Sequence, residues 1–332
     1  MTCRVLHAGL LTTIQDLGRR GHQREGIPAA GAMDPLALRV ANLLVGNDEE
    51  AAALEITLAG PTLSFDTSTL VALAGADLSA TVNGERAPPW RALRVPPRAT
   101  LSFGQLVRGC RAYLAIGGGI DVPAVLGSRS TYLRAKFGGV SGRALRRDDV
   151  FAALAPSPLS RRIEAGIARA GSRVVVAHWG AGPSLVPPYS TFPSVSLLPG
   201  EHTPWLTTGS RQQLWSAEFR VGAQSDRMGY RLEGAVLELS EHREILSEAV
   251  TFGTVQLPPG GSPILLMADR QTTGGYPRIG EVATVDLPLV AQLKPGDRLR
   301  FRPISLEEAQ RQYFAREAEF AQARAAVALR HR

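Results

Sequence analysis

Two polar, glycine-containing segments hold the residues best suited to chemistry: Gln224-Ser225-Asp226-Arg227-Met228-Gly229-Tyr230-Arg231 and Ala268-Asp269-Arg270-Gln271-Thr272-Thr273-Gly274-Gly275-Tyr276-Pro277. Asp supplies an acceptor or base, Arg a planar cationic fork, and Gln and Thr neutral donors. Paired glycines let backbone N–H groups approach a carbonyl or carboxylate closely. Such a set fits recognition of a carbonyl or carboxylate, with Asp226 and Asp269 as candidate catalytic carboxylates. Gln224, Arg227, Arg270, Gln271, Thr272 and Thr273 are then candidate binders of substrate or nucleotide. From residue chemistry alone, a solvated turn with local Asx hydrogen bonds is an equal reading. Glu55 and Glu248 are further possible site acids, although each lies beside apolar residues where a paired or strand-edge carboxylate serves as well. Asp34 explains itself as a helix cap, and Arg19 and Arg20 read as surface cations or as contacts to another chain.

Other chemistries are excluded by spacing. There is no P-loop, no Gly-x-Ser-x-Gly elbow and no His-Glu-x-x-His, and Gly117-Gly118-Gly119 lacks the dinucleotide-binding spacing and reads as a tight turn. The six histidines, at 7, 22, 178, 202, 242 and 331, show no ligand spacing, so no metal is expected. Cys3 and Cys110 stand alone, which fits a reducing compartment. With no signal-peptide pattern and no membrane-length apolar run, a soluble cytoplasmic protein is expected. The net charge of +7 invites a nucleic-acid reading, but only Lys136 and Lys294 are lysines, and the arginines are interleaved with carboxylates without a basic tract. Neither nucleic acid nor membrane is therefore an expected partner.

The elements that must position these residues are mostly short strands. Apolar runs bounded by Gly, Pro and Asp occur at 69–75, 92–103, 112–118, 173–179, 235–240, 263–269 and 297–301. One helix is expected from Asp34 to about Val45, with Asp34 as N-cap, Pro35 in the first turn and Gly46 after the last. A second begins after Ser305, with Glu308 at capping-box spacing, and its polar composition marks it as a surface appendage or partner contact. Pro97, Leu101 and Phe103 repeat as Pro295, Leu299 and Phe301, which points to two related β-rich halves. The expected division is 1–160, 172–302 and a helical tail at 303–332. The Ala155–Gly171 stretch is the linker, with a short connecting helix possible in its RRIEAGIARA run.

Several of these motifs occur together in a known family. The stretches at 9–48 (GLLTTIQDLGRRGHQREGIPAAGAMDPLALRVANLLVGND), 54–65, 113–139, 225–234 and 268–297 (ADRQTTGGYPRIGEVATVDLPLVAQLKPGD) resemble the family of C-type subunits of 5-oxoprolinase, also described as allophanate hydrolase subunit 2-like, KipA-like or biotin-dependent carboxyltransferase-like. The resemblance implies a mainly β fold with a few helices: two cyclophilin-like β-barrel domains and a C-terminal helix. It also implies two protein partners, one KipI-like (B-type) and one LamB/YcsF-like (A-type). The implied reaction is ATP-dependent cleavage of 5-oxo-L-proline to L-glutamate, with ATP used at the level of the complex. Two alternatives come with it. One is a carboxyltransferase-type component that acts on urea or a related small amide with a separate biotin carrier, and the other is a KipA-like regulatory protein that binds its KipI-like partner. Neither lysine lies in an Ala-Met-Lys-Met-like setting, so no covalently attached biotin is expected, and the lactamase reading is preferred. Loss of turnover without unfolding is expected for Asp269→Ala and Arg227→Ala.

Overall fold

The computed structural model describes residues 1–167, 174–241 and 245–332. Residues 168–171 of the expected linker and helix, Arg173 at the start of one expected strand, and His242 lie outside them. The chain is mainly β and forms two compact units: residues 1–19, 30–187 and 318–332 in the first, and 20–29 with 188–317 in the second. Five α-helices are present among the described residues: α1 (Pro35–Leu44), α2 (Pro158–Ile167), α3 (Thr208–Ser216), α4 (Leu287–Ala291) and α5 (Leu306–Arg330). None of the described helices is long and apolar enough to cross a membrane.

In the first unit a seven-stranded and a six-stranded sheet share a core. Strand Thr69–Asp77 shows why the sequence folds this way. Its alternate residues Val71 and Leu73 enter the inter-sheet core with Phe65, Leu101 and Leu114, whereas Leu70, Ala72 and Ala74 face the helices. Small alanines at 53, 72, 74, 92 and 115 on that face let α1 pack close to the sheet. Asp34 Oδ1 accepts from the backbone N–H of Ala37 at 3.0 Å and caps α1, as its position in the sequence predicts. The Gly117–Gly119 segment is a tight turn, with Gly118 N–H donating to Asn47 Oδ1 at 2.7 Å.

Several local expectations are corrected. Residues 92–103 form two strands, Arg91–Val95 and Thr100–Ser102, separated by a turn. Residues 235–240 form no strand; only the bridge between Leu206 and Leu239 remains. Ser305 does cap α5 through the N–H of Glu308 at 3.2 Å, but α5 is not simply a surface appendage. Phe320 and Val327 are buried in the first unit's helix-side core, with the Arg39 guanidinium 4.2 Å from the Phe320 ring centre. Arg19 is also no surface cation: it is fully buried, donating to Ser130 O and lying over Phe137.

Cys3 and Cys110 are both free and buried. Burial, reinforced by the charge of Asp66, pushes the Cys3 thiol up to about 12. Because the thiolate is the reactive form, Cys3 is expected to stay unmodified by a disulfide-exchange reagent in the native protein and to react once it is unfolded. Fast labelling of Cys3 under native conditions would contradict this.

Candidate functional site

The second unit is built on a closed seven-stranded barrel, in the order Ser194–Pro199, Arg278–Val282, Thr254–Gln256, Ile264–Leu266, Gly229–Gly234, Phe219–Val221 and Arg298–Pro303. Leu299 and Phe301 of the repeated spacing are fully buried in its last strand. The two polar segments flank paired strands: Gly229–Gly234 and Ile264–Leu266 run antiparallel, so the turn before one lies beside the turn after the other. Met267 N–H donates to Met228 O at 2.9 Å, and Asp269 N–H donates to Arg227 O at 2.8 Å. Sequence positions forty-two apart are thereby joined.

Here Arg227 and Asp269 meet as a bidentate pair. Arg227 Nε lies 3.0 Å from Asp269 Oδ2 and Nη2 lies 2.9 Å from Oδ1, with the side chains 7% and 6% exposed. A carboxylate held this way is the anchor of a guanidinium, and the pair ties the two turns together. Asp226 is exposed, and its Oδ1 accepts from the N–H groups of Met228 at 2.7 Å and Gly229 at 3.3 Å. That is an Asx-type turn, in which its carboxylate organises local backbone. Gln224 is exposed on the same turn.

Arg270 has different surroundings. It is only 8% exposed, and its Nε donates to Val250 O at 3.4 Å. Among the described residues its terminal nitrogens find no hydrogen-bond or ion-pair partner, and they are not sealed from solvent. Burial lowers its pKa, while the charges of Glu281 and Asp269 raise it. A largely desolvated guanidinium with open donors is suited to capture an anionic oxygen, because the interaction is screened less than at a free surface.

The wall around it is formed by a short ribbon in which Glu248 pairs with Gly274 and Ala249 with Thr273. Val250 N–H donates to Thr272 O at 3.1 Å, fixing the segment that holds Arg270. Gln271 Nε2 donates to Gln256 Oε1 at 3.4 Å, and Gln256 Nε2 donates to Tyr276 O at 3.3 Å. Gly274 leaves room for the Gln256 amide, which a Cβ there would displace, standing 2.4 Å from its Nε2. Thr273 is exposed and Thr272 half-buried. Glu248 Oε2 lies 2.6 Å from Arg278 Nη2, an ion contact without hydrogen-bond angles, and Arg278 also pairs with Glu201 at 2.8 Å.

Glu281, Thr251, Thr254, Gln256 and Arg278 were not singled out from the sequence. Glu281 lies in the Arg278–Val282 strand among apolar neighbours and carries no spacing signal. Its Oε2 accepts from Thr254 Oγ1 at 2.8 Å, and its Oε1 contacts Thr251 Oγ1. Burial pushes its carboxyl above the ordinary range, against the hydroxyls of Thr251 and Thr254 and the charges of Arg270 and Arg278.

Glu55, in the first unit, has an internal role. It is 2% exposed, and its Oε2 accepts from Tyr113 Oη at 2.7 Å and from Met33 N–H at 2.8 Å. Tyr113 Oη in turn accepts from Asp34 N–H at 2.8 Å, joining the sheet to the start of α1. Among the described residues no group of three or more His, Cys, Asp and Glu side chains is gathered to hold a metal ion.

A mainly β chain with a seven-stranded barrel carrying buried arginines at its turns has the architecture of a carboxyltransferase domain. Residues 25–303 match the model for the carboxyltransferase domain, subdomain A and B, and the chain belongs to that family. It is 39% identical to the C-type subunit of 5-oxoprolinase from Escherichia coli over 92% of each chain. It is 33% identical to the urea amidolyase of Saccharomyces cerevisiae, covering 90% of this chain but 16% of that one. The crystal structure of the Kluyveromyces lactis urea amidolyase superposes with a TM-score of 0.86 at 31% identity, covering 97% of this chain and 20% of that one. The chain thus spans the bulk of the 5-oxoprolinase relative and a minor part of the urea-processing ones.

Proposed function

We propose that this chain is the C-type subunit of an ATP-dependent 5-oxoprolinase, cleaving 5-oxo-L-proline to L-glutamate with a KipI-like B-type partner and a LamB/YcsF-like A-type partner. The observation that carries this reading is the 39% identity to the Escherichia coli 5-oxoprolinase component over 92% of both lengths. The site supports it chemically. 5-Oxoproline is a lactam bearing a carboxylate, and Arg270 offers buried, open donors to such an anion, whereas urea is neutral. The Gln256–Gln271 amides and the Gly274–Gly275 backbone stand in the same turn region to orient the lactam carbonyl and N–H. Amide carbonyls are poor electrophiles, and ATP supplies the driving force at the level of the complex.

A second reading is favoured by the 0.86 TM-score to the urea amidolyase structure: transfer of a carboxyl group to a small amide from a separate biotin carrier. Reconstitution separates the two. Mixed with its B-type and A-type partners, the chain is expected to give ATP-dependent glutamate release from 5-oxoproline. Carboxylation of urea from a carboxybiotin carrier, with no glutamate formed, would replace this reading by the second. Tight binding of the B-type partner with neither activity would establish the regulatory alternative.

A further inference from the structure

Glu281, Thr251 and Thr254 form a closed ring of oxygens. Thr251 Oγ1 contacts Glu281 Oε1, Thr251 Oγ1 and Thr254 Oγ1 are 3.1 Å apart, and Thr254 Oγ1 is 2.8 Å from Glu281 Oε2. Thr254 Oγ1 also accepts from Thr251 N–H at 3.0 Å. The ring has three oxygen–oxygen contacts, but the two hydroxyls bring only two hydrogens. If Glu281 is ionised, both hydroxyls point at it and the contact between the threonines has no hydrogen. One proton on Oε1 completes the ring: Glu281 donates to Thr251, Thr251 to Thr254, and Thr254 to Oε2.

Arg270 reaches the same turn as the ring, its Nε 3.4 Å from the carbonyl oxygen of Val250, the residue before Thr251. Its charge and that of Arg278 act against burial and favour the ionised form of Glu281. Arg278 is already neutralised by Glu201 and Glu248, while its backbone N–H donates to His202 Nδ1. Asp269 is committed to Arg227. On the adjoining barrel strands the residues opposite Glu281 are Leu198 and Thr254, neither charged. An ionised Glu281 would therefore stand as the counter-charge of Arg270, competing with any incoming anion. A protonated one leaves Arg270 free to bind.

We propose that Arg270 and Glu281 form a proton-linked site for a small carboxylate or oxyanion, in which the anion is bound by Arg270 and one proton is held on Glu281. This rests on the reading of Arg270 as the anion-binding group. The sign follows from linkage. A bound negative charge favours the neutral carboxyl, so anion and proton are taken up together, and affinity falls as pH rises through the titration of Glu281.

Sulfate, which stays fully ionised from mildly acidic to mildly alkaline pH, is the probe, and titration calorimetry of the full chain in buffers of differing ionisation heat is the measurement. The wild type is expected to take up close to one proton per sulfate above the resting titration of Glu281, with affinity falling by up to about tenfold per pH unit. Glu281→Gln is expected to bind sulfate with no such dependence, and Arg270→Ala to lose binding. Arg270-dependent binding without proton uptake by the wild type would overturn the role of Glu281, even if the Gln variant failed to fold. So would a pH dependence unchanged in a folded Glu281→Gln protein. Absence of sulfate binding, or equal binding by Arg270→Ala, would instead remove the anion-site reading and this inference with it.

Discussion

Asp269→Asn is expected to destabilise the protein by about 3–5 kcal/mol, because it removes the carboxylate charge that two nitrogens of the buried Arg227 guanidinium bond. The pair is bidentate and nearly sealed from water, with side chains 7% and 6% exposed, so little solvent is available to replace the lost partner. The effect should extend beyond the pair, since it ties the turn before Gly229 to the turn after Leu266. Equilibrium denaturation of the purified chain measures it. Arg227→Met combined with Asp269→Leu should recover most of the loss, because an apolar pair of similar volume avoids desolvating either charge. A destabilisation below about 1 kcal/mol for Asp269→Asn would place the pair with exposed ion pairs, against its geometry. This burial also changes what the sequence alone led one to expect of Asp269→Ala and Arg227→Ala: loss of turnover should be accompanied by loss of stability.

Arg270→Ala should show the opposite balance. Among the described residues its side chain makes one long hydrogen bond, to Val250 O, and burial of its charge is itself unfavourable, so stability is expected to change little. Turnover of the reconstituted complex should fall by about 10²–10³-fold, the usual consequence of removing a preorganised donor aimed at an anionic oxygen. Arg270→Lys should retain only part of the function, since a point charge does not reproduce a planar fork. Steady-state kinetics beside a denaturation curve distinguish the cases. Undiminished turnover in Arg270→Ala would remove this residue from the site.

Where the chain's local chemistry dictates structure, the sequence is a good guide. Asp34 followed by Pro35 starts α1, Ser305 with Glu308 starts α5, and Gly118 makes a turn, because each acts on backbone within a few residues. The 235–240 run fails as a strand although its composition suits one: only Leu239 finds a bridging partner, Leu206. Its backbone is satisfied by irregular partners instead, with Leu237 N–H donating to Gly261 O and Ser240 N–H to Trp205 O, so no ladder forms, and composition does not reveal which partners a segment meets. The polar composition of α5 hides Phe320 and Val327, two widely spaced residues buried in the first unit's core.

The same division runs through the site. By itself the sequence determined the mainly β character, the helix starts, the motifs of the carboxyltransferase-domain family and the two segments rich in Asp, Arg, Gln and Thr. Only the tertiary structure decided which of those charges is spent and which is available: Asp269 is bound to Arg227, Asp226 organises its own turn, and Arg270 keeps open donors. It also brought Glu281 to Thr251 and Thr254, thirty and twenty-seven positions away. The reason is physical. Capping and turn formation depend on near neighbours in the chain, whereas the state of a charge depends on its desolvation and on partners that strand register brings from afar.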